Sequence, residues 1–152
     1  MNSKFLAIIA SLIVLAAVVA AFLVVGSPAH QRDLNFDQRR VSDLQSIQSE
    51  TVNYWQQKAK LPSQLSDLTN SISGFKAPMD PETGNPYEYI VKSGLNFQLC
   101  ADFKLPSANS NQSRAIPMMY PYDNWDHAAG HVCFDRTIDP QLYKPISTPP
   151  IK

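Results

Sequence analysis

Three places in this sequence hold residue types that could do chemistry. The first is the cysteine pair, Cys100 and Cys133, the only two cysteines in the chain. Each sits in a stretch that reads as a β-strand. If the two strands are neighbours, the thiols are placed to form a disulfide. In the chain-entropy view, closing a loop of that size stabilises a domain by about 3–4 kcal/mol. Two buried thiols are the alternative. The disulfide is the preferred reading, and it requires an oxidising compartment. The second place is Asp126-His127 followed by His131-Val132-Cys133. Zinc takes His and Cys ligands, and two histidines four apart would share one face of a helix. Here Gly130 intervenes, a strand begins near 131, and Ala128 stands where a zinc protease carries Glu. His127 and His131 are therefore read as hydrogen-bonding side chains, and no metal ligand is assigned. The third place is the turn Asp80-Pro81-Glu82-Thr83-Gly84-Asn85-Pro86. Its carboxylates and carbonyls suit calcium, but the spacing is not that of an EF-hand loop. It reads as a plain turn leading into a strand. Asp, His and Ser occur in no triad spacing, and neither a Gly-x-Ser-x-Gly elbow nor a phosphate-cradling glycine loop is present. The expectation is a protein without catalytic residues or cofactor, hence not an enzyme. A metal-dependent enzyme using His127 and His131 is the third-ranked alternative.

The elements that would position these groups begin with an apolar run. Residues 5 to 25, FLAIIASLIVLAAVVAAFLVV, carry no charge, proline or glycine. As a helix they would extend roughly 30 Å, the thickness of a bilayer's hydrocarbon core. Gly26 and Pro28 then end the helix. The predicted partner of this run is the lipid bilayer. A cleaved signal peptide is the competing reading, but its apolar core is usually about 7–15 residues, so an uncleaved single-pass signal anchor over residues 1–26 is preferred. Charge does not set the orientation, because Lys4 lies on one side and Arg32, Arg39 and Arg40 on the other. The cysteine pair argues for the C-terminal domain lying outside the cytoplasm.

Residues 27–36 read as a juxtamembrane linker. Residues 37–60 read as an amphipathic helix, with Asp37 as N-cap. Val41, Leu44, Ile47, Thr51, Tyr54 and Trp55 recur at helical spacing as its apolar stripe, and Lys58 and Lys60 lie at its C-terminus. Leu61-Pro62 ends it, and Ser63 caps a turn that folds Leu65 and Leu68 back. Residues 87–92 read as a strand with Tyr87, Tyr89 and Val91 on one face. Ser93-Gly94 signals a hairpin. Residues 95–103 alternate cleanly, with Leu95, Phe97, Leu99, Ala101 and Phe103 on the core face. Residues 104–129 read as a long irregular stretch, whose Tyr120, Tyr122 and Trp125 are expected to form its own small core. Residues 131–136 read as a third strand. Leu142 and Tyr143 are expected to pack down, closing a domain over 37–143, and 144–152 form a proline-rich tail. All prolines except Pro28 and Pro62 lie beyond residue 77, which favours short strands and fixed turns there.

The order of these segments resembles a known family. An anchor helix, Asn53-Tyr54-Trp55, the stretch LPSQLSDL, the turn DPETGNPYEY and a strand ending FQLC are similar to type II secretion pseudopilins and type IV pilin-like proteins. Tyr54, Pro62, Leu65, Leu68, Asp80, Pro81, Gly84, Pro86, Tyr87 and Tyr89 take the family's places. The segments VSDLQSIQ, VNYWQQK and VCFDRTIDP also resemble membrane-anchored proteins of candidate-phyla bacteria. The pilin resemblance implies an α+β fold, one helix packed on a small antiparallel sheet, displayed at the outer face of a cell membrane. The chain lacks the family's cleavage signal, a Gly before an aromatic or Met with Glu five residues on.

Net charge is zero, from 13 basic and 13 acidic residues. No basic stripe supports nucleic-acid binding, and no single-sign block implies a polyionic partner. The leading expectation is a membrane-anchored, extracytoplasmic interaction or structural domain with protein partners, self-association among them. A pseudopilin-like subunit of a secretion or pilus system is the alternative.

Overall fold

A computed structural model describes residues 3–25, 27–107 and 124–146. The chain divides into two compact units, Met1–Asn35 and Phe36–Lys152.

The first unit holds helix α1, Ser3–Val25, and the first residues of α2, Pro28–Lys58. After Ser3 and Lys4, α1 is built mainly of Leu, Ile, Val and Ala, with Phe5, Ser11 and Phe22 among them. Among the described residues, no helix is long and apolar enough to cross a membrane; the side chains described in α1 are those of Lys4 and residues 7–21. Of the segment 27–36, expected as a linker, residues 28–36 are helical instead. Ser27 starts the helix: its Oγ accepts the His30 N–H at 3.2 Å and its carbonyl accepts the Gln31 N–H at 3.1 Å. Pro28 follows at the first helical position, where its fixed φ suits a helix and its missing N–H costs nothing. Asp37 is therefore well inside α2 and caps nothing there.

In the second unit α2 buries Asp37, Arg40, Leu44, Ile47 and Thr51, with Val41, Tyr54 and Trp55 half-buried. The 3-4-3-4 spacing of the buried set puts it on one face. The helix stops at Lys58, two residues short of the expected end, as Ala59 turns to φ 53°. A short 3-10 helix, Leu65–Leu68, returns Leu68 to the core, with Leu65 half-buried. Its cap differs from the expected one. The capping side chain is Asp67 rather than Ser63: its carboxylate accepts the N–H groups of Ser63 and Gln64 at 2.8 and 3.2 Å.

Three antiparallel strands form the sheet: β1 Glu88–Val91, β2 Asn96–Phe103 and β3 Gly130–Thr137, in the order β1-β2-β3. The β1–β2 hairpin closes as the Lys92 N–H donates to the Asn96 carbonyl, with Gly94 at φ +63°. Alternation along β2 sends Phe97, Leu99, Ala101 and Phe103 into the core, where they meet Leu44, Ile47 and Leu68. Leu95 is half-buried. Tyr87 is buried just ahead of β1, Tyr89 is half-buried, and Val91, expected on the same face, is 42% exposed.

Two other expectations change. Leu142 and Tyr143 do not pack down; they are 58% and 42% exposed. Ile138 fills the core instead, and the following segment docks through its backbone. The Trp55 Nε1–H donates to the Tyr143 carbonyl at 3.0 Å, and the Ile146 N–H donates to the Gln56 carbonyl at 2.7 Å. Of the aromatics in the long irregular stretch, Tyr120 and Tyr122 lie outside the described residues. Trp125 is buried against Phe134 and beneath the Arg136 guanidinium, which sits 4.1 Å from its ring centroid.

Candidate functional site

The polar centre of the domain is Arg40. Continuing the apolar stripe of α2 back from Leu44 by its own spacing reaches Arg40 and then Asp37, so geometry forces both charges inside. The turn Asp80–Pro86 meets them there. Arg40 Nε donates to Asp80 Oδ2 at 2.6 Å, Nη2 to Asp80 Oδ1 at 3.2 Å and to Glu82 Oε2 at 2.8 Å, and Nη1 to Asp37 Oδ1 at 2.8 Å. The planar guanidinium satisfies three carboxylates at once, which an ammonium group does not match. Each carboxylate also holds backbone or a second cation. Asp80 accepts the N–H groups of Glu82 and Thr83, which shapes the turn. Asp37 accepts those of Lys104 and Leu105, which fixes the exit from β2. Lys104 Nζ lies 3.2 Å from Glu82. One arginine thereby joins α2, the turn before β1 and the end of β2.

The ionisation of the cluster follows from this packing. Burial pushes the Arg40 guanidinium down, but its hydrogen bonds to Asp80, Glu82 and Asp37 outweigh that and hold it above the usual arginine range. Burial pushes Asp80 up, and the Arg40 hydrogen bond, aided by the turn's N–H groups, prevails and holds it at about 2. Arg40 and then Lys104 draw Glu82 down. Burial, then the Asp43 carboxylate that accepts its hydroxyl at 2.8 Å, pushes Tyr87 up. Because Asp80 is depressed in the folded state, its stabilisation is complete above its unfolded value near pH 4. It is lost as pH falls towards 2, and amounts to about 2 kcal/mol. Chemical denaturation of the wild type and Asp80→Asn is expected to show a stability gap that narrows by that amount between pH 4 and pH 2.

A second constellation lies on the face of the sheet opposite the core. Register places Glu88 of β1 beside Cys100 of β2, Cys100 beside Cys133 of β3, and Asp102 beside His131. Cys100 and Cys133 form the expected disulfide, with Cα atoms 4.0 Å apart. His131 Nδ1 is 3.0 Å from Asp102 Oδ1, and its Nε2 is 3.4 Å from Glu88 Oε2 and 3.5 Å from Cys133 Sγ. An open groove of about 480 Å³ runs from this cluster to Arg40, with Glu82, Glu88, Asp102, Lys104 and His131 among its walls.

His127 is not part of it. Its ring stacks on Phe103, centroids 3.7 Å apart, and is buried. Phe103 and Asp102 are adjacent in β2 and so point to opposite faces. His127 lies under the sheet and His131 above it, so the two histidines do not share an ion. The acidic turn is also not a free ligand set, since Asp80 and Glu82 are engaged by Arg40. Sequence reasoning treated Arg40 only as a juxtamembrane charge and missed the carboxylates flanking His131. The periodicity of α2 carried the first signal; the second depends on strand register.

The chain matches no protein-family model, no curated protein and no solved structure.

Proposed function

We propose that the protein is a single-pass membrane protein whose folded domain works outside the cytoplasm as a non-enzymatic interaction or structural module of pilin-like build. The observation that carries this reading is the state of α1. Its described apolar side chains are solvent-exposed along the whole stretch from 7 to 21, with Leu12, Ile13, Val14 and Leu15 each at 60% or more. An exposed apolar surface of that extent calls for a cover. The uncharged sequence from 5 to 25 suits lipid as that cover. The disulfide supports an oxidising location for the domain.

Pseudopilin-type assembly is the second reading. It is favoured by the turn Asp80–Pro86 being fastened to the long helix α2 by Arg40. Against processing stands the absence of the cleavage signal from the sequence. Alkaline extraction of membranes from expressing cells, followed by intact-mass measurement, tests both. The full chain is expected to stay in the pellet at its unprocessed mass. Release into the supernatant overturns the anchor, and a trimmed N-terminus favours the pilin route.

A further inference from the structure

The face that carries the disulfide has the donor set of a zinc site. The Cys100 and Cys133 sulfurs and a His131 ring nitrogen lie within 4.8 Å of one another. Zinc–sulfur and zinc–nitrogen bonds of about 2.3 and 2.0 Å place neighbouring ligand atoms of a tetrahedral site about 3.3–3.8 Å apart. His131 Nε2 is 3.5 Å from Cys133 Sγ and 3.4 Å from Glu88 Oε2, so one ring nitrogen already stands at that spacing from two further donors. The opposite nitrogen, Nδ1, is 3.0 Å from Asp102. A carboxylate behind the far nitrogen fixes the tautomer and leaves the Nε2 lone pair free for a metal. All five residues project from one face of three paired strands, so the sheet itself sets their spacing.

We propose that reduction of Cys100–Cys133 converts this face into a zinc site with Cys100, Cys133, His131 and Glu88 as ligands and Asp102 as the positioning residue behind His131. The reductant is a dithiol. Its two electrons and two protons cleave the sulfur–sulfur bond, giving two cysteine thiols and leaving the dithiol as its own disulfide. Zinc binding then releases the two thiol protons as the sulfurs ligate as thiolates. Oxidation and metal binding exclude each other, because both use the same sulfur electron pairs. The proposal rests on the geometry of this face and not on the membrane anchor, and in an oxidising compartment it needs a dithiol supplied there.

The test is a cobalt titration of the full chain in detergent, reduced with a phosphine and kept anaerobic. One equivalent of Co²⁺ is expected to give tetrahedral visible bands and thiolate-to-cobalt charge-transfer absorption, both removed by Zn²⁺, while the oxidised chain gives neither. His131→Ala and Glu88→Gln are each expected to weaken Co²⁺ binding at least about tenfold. Asp102→Asn, which leaves every ligand in place, is expected to weaken it by about 10–100-fold. A reduced wild type without charge-transfer absorption overturns the proposal, as does a His131→Ala chain that binds as tightly as wild type. If reduction alone unfolds the sheet, Zn²⁺ must restore the far-ultraviolet circular dichroism of the wild type and not of His131→Ala; failure to do so equally overturns it.

Discussion

Replacing Arg40 by Met is expected to destabilise the domain by about 3–5 kcal/mol at pH 7. Arg40 is 1% exposed and contacts Asp37, Asp80 and Glu82. Methionine preserves much of the aliphatic stem but leaves two carboxylates, Asp37 and Asp80, buried without their cation. Removing one partner of a buried ion pair costs that much because the remaining charge is stranded in a poorly solvated place. The intact cluster need not be worth the same amount, since forming it also strips water from every member. The cost is expected to fall as pH drops, when protonation of Asp80 in the variant relieves the stranded charge. Arg40→Lys is expected to fall between the two, because an ammonium cannot reproduce the four directed contacts. Urea denaturation of wild type, Arg40→Met, Asp80→Asn and the double variant measures both loss and coupling. Near-additive losses in that cycle would show that the two side chains act independently and would refute the clamp.

Removing the disulfide is the second large effect. Replacing Cys100 and Cys133 together by Ala is expected to cost about 3–4 kcal/mol, the chain-entropy value for a sequence separation of 33 residues. Net stabilities of single domains run about 5–15 kcal/mol, so this is a substantial fraction. The segment inside that loop includes 108–123, and the crosslink limits how far it can spread in the unfolded chain. Denaturation midpoints of the oxidised wild type and the double variant check this. An unchanged midpoint would mean that β2 and β3 hold their register without the crosslink.

Much of the architecture was legible in the sequence because it rests on local periodicity. The alternation at Phe97, Leu99, Ala101 and Phe103 gives β2 its core face, and the spacing of Leu44, Ile47 and Thr51 gives α2 its own. Cys100 and Cys133 were legible as a pair because each falls in a strand pattern. Helix boundaries were less so. Asp37 looks like an N-cap, yet Ser27-Pro28 provides a stronger start, and nothing in 29–36 breaks a helix. The role of Arg40 was hidden by the habit of placing charge outside, although the stripe's spacing points at it. The partners of His131 could not be read locally, since Glu88 and Asp102 reach it only through the pairing of three strands. Leu142 and Tyr143 lose their expected burial to Ile138, which directly follows β3 and reaches the core first.

If the N-terminal apolar helix holds a folded domain outside the cytoplasm, as we propose, protease added from outside the cell reaches that domain. Spheroplasts of a bacterium expressing the full chain, treated with a non-specific protease and probed by mass spectrometry of the membrane fraction, are predicted to lose everything beyond the juxtamembrane segment while retaining an embedded peptide that contains residues 5–25. Survival of the full-length chain until the cells are lysed would contradict it.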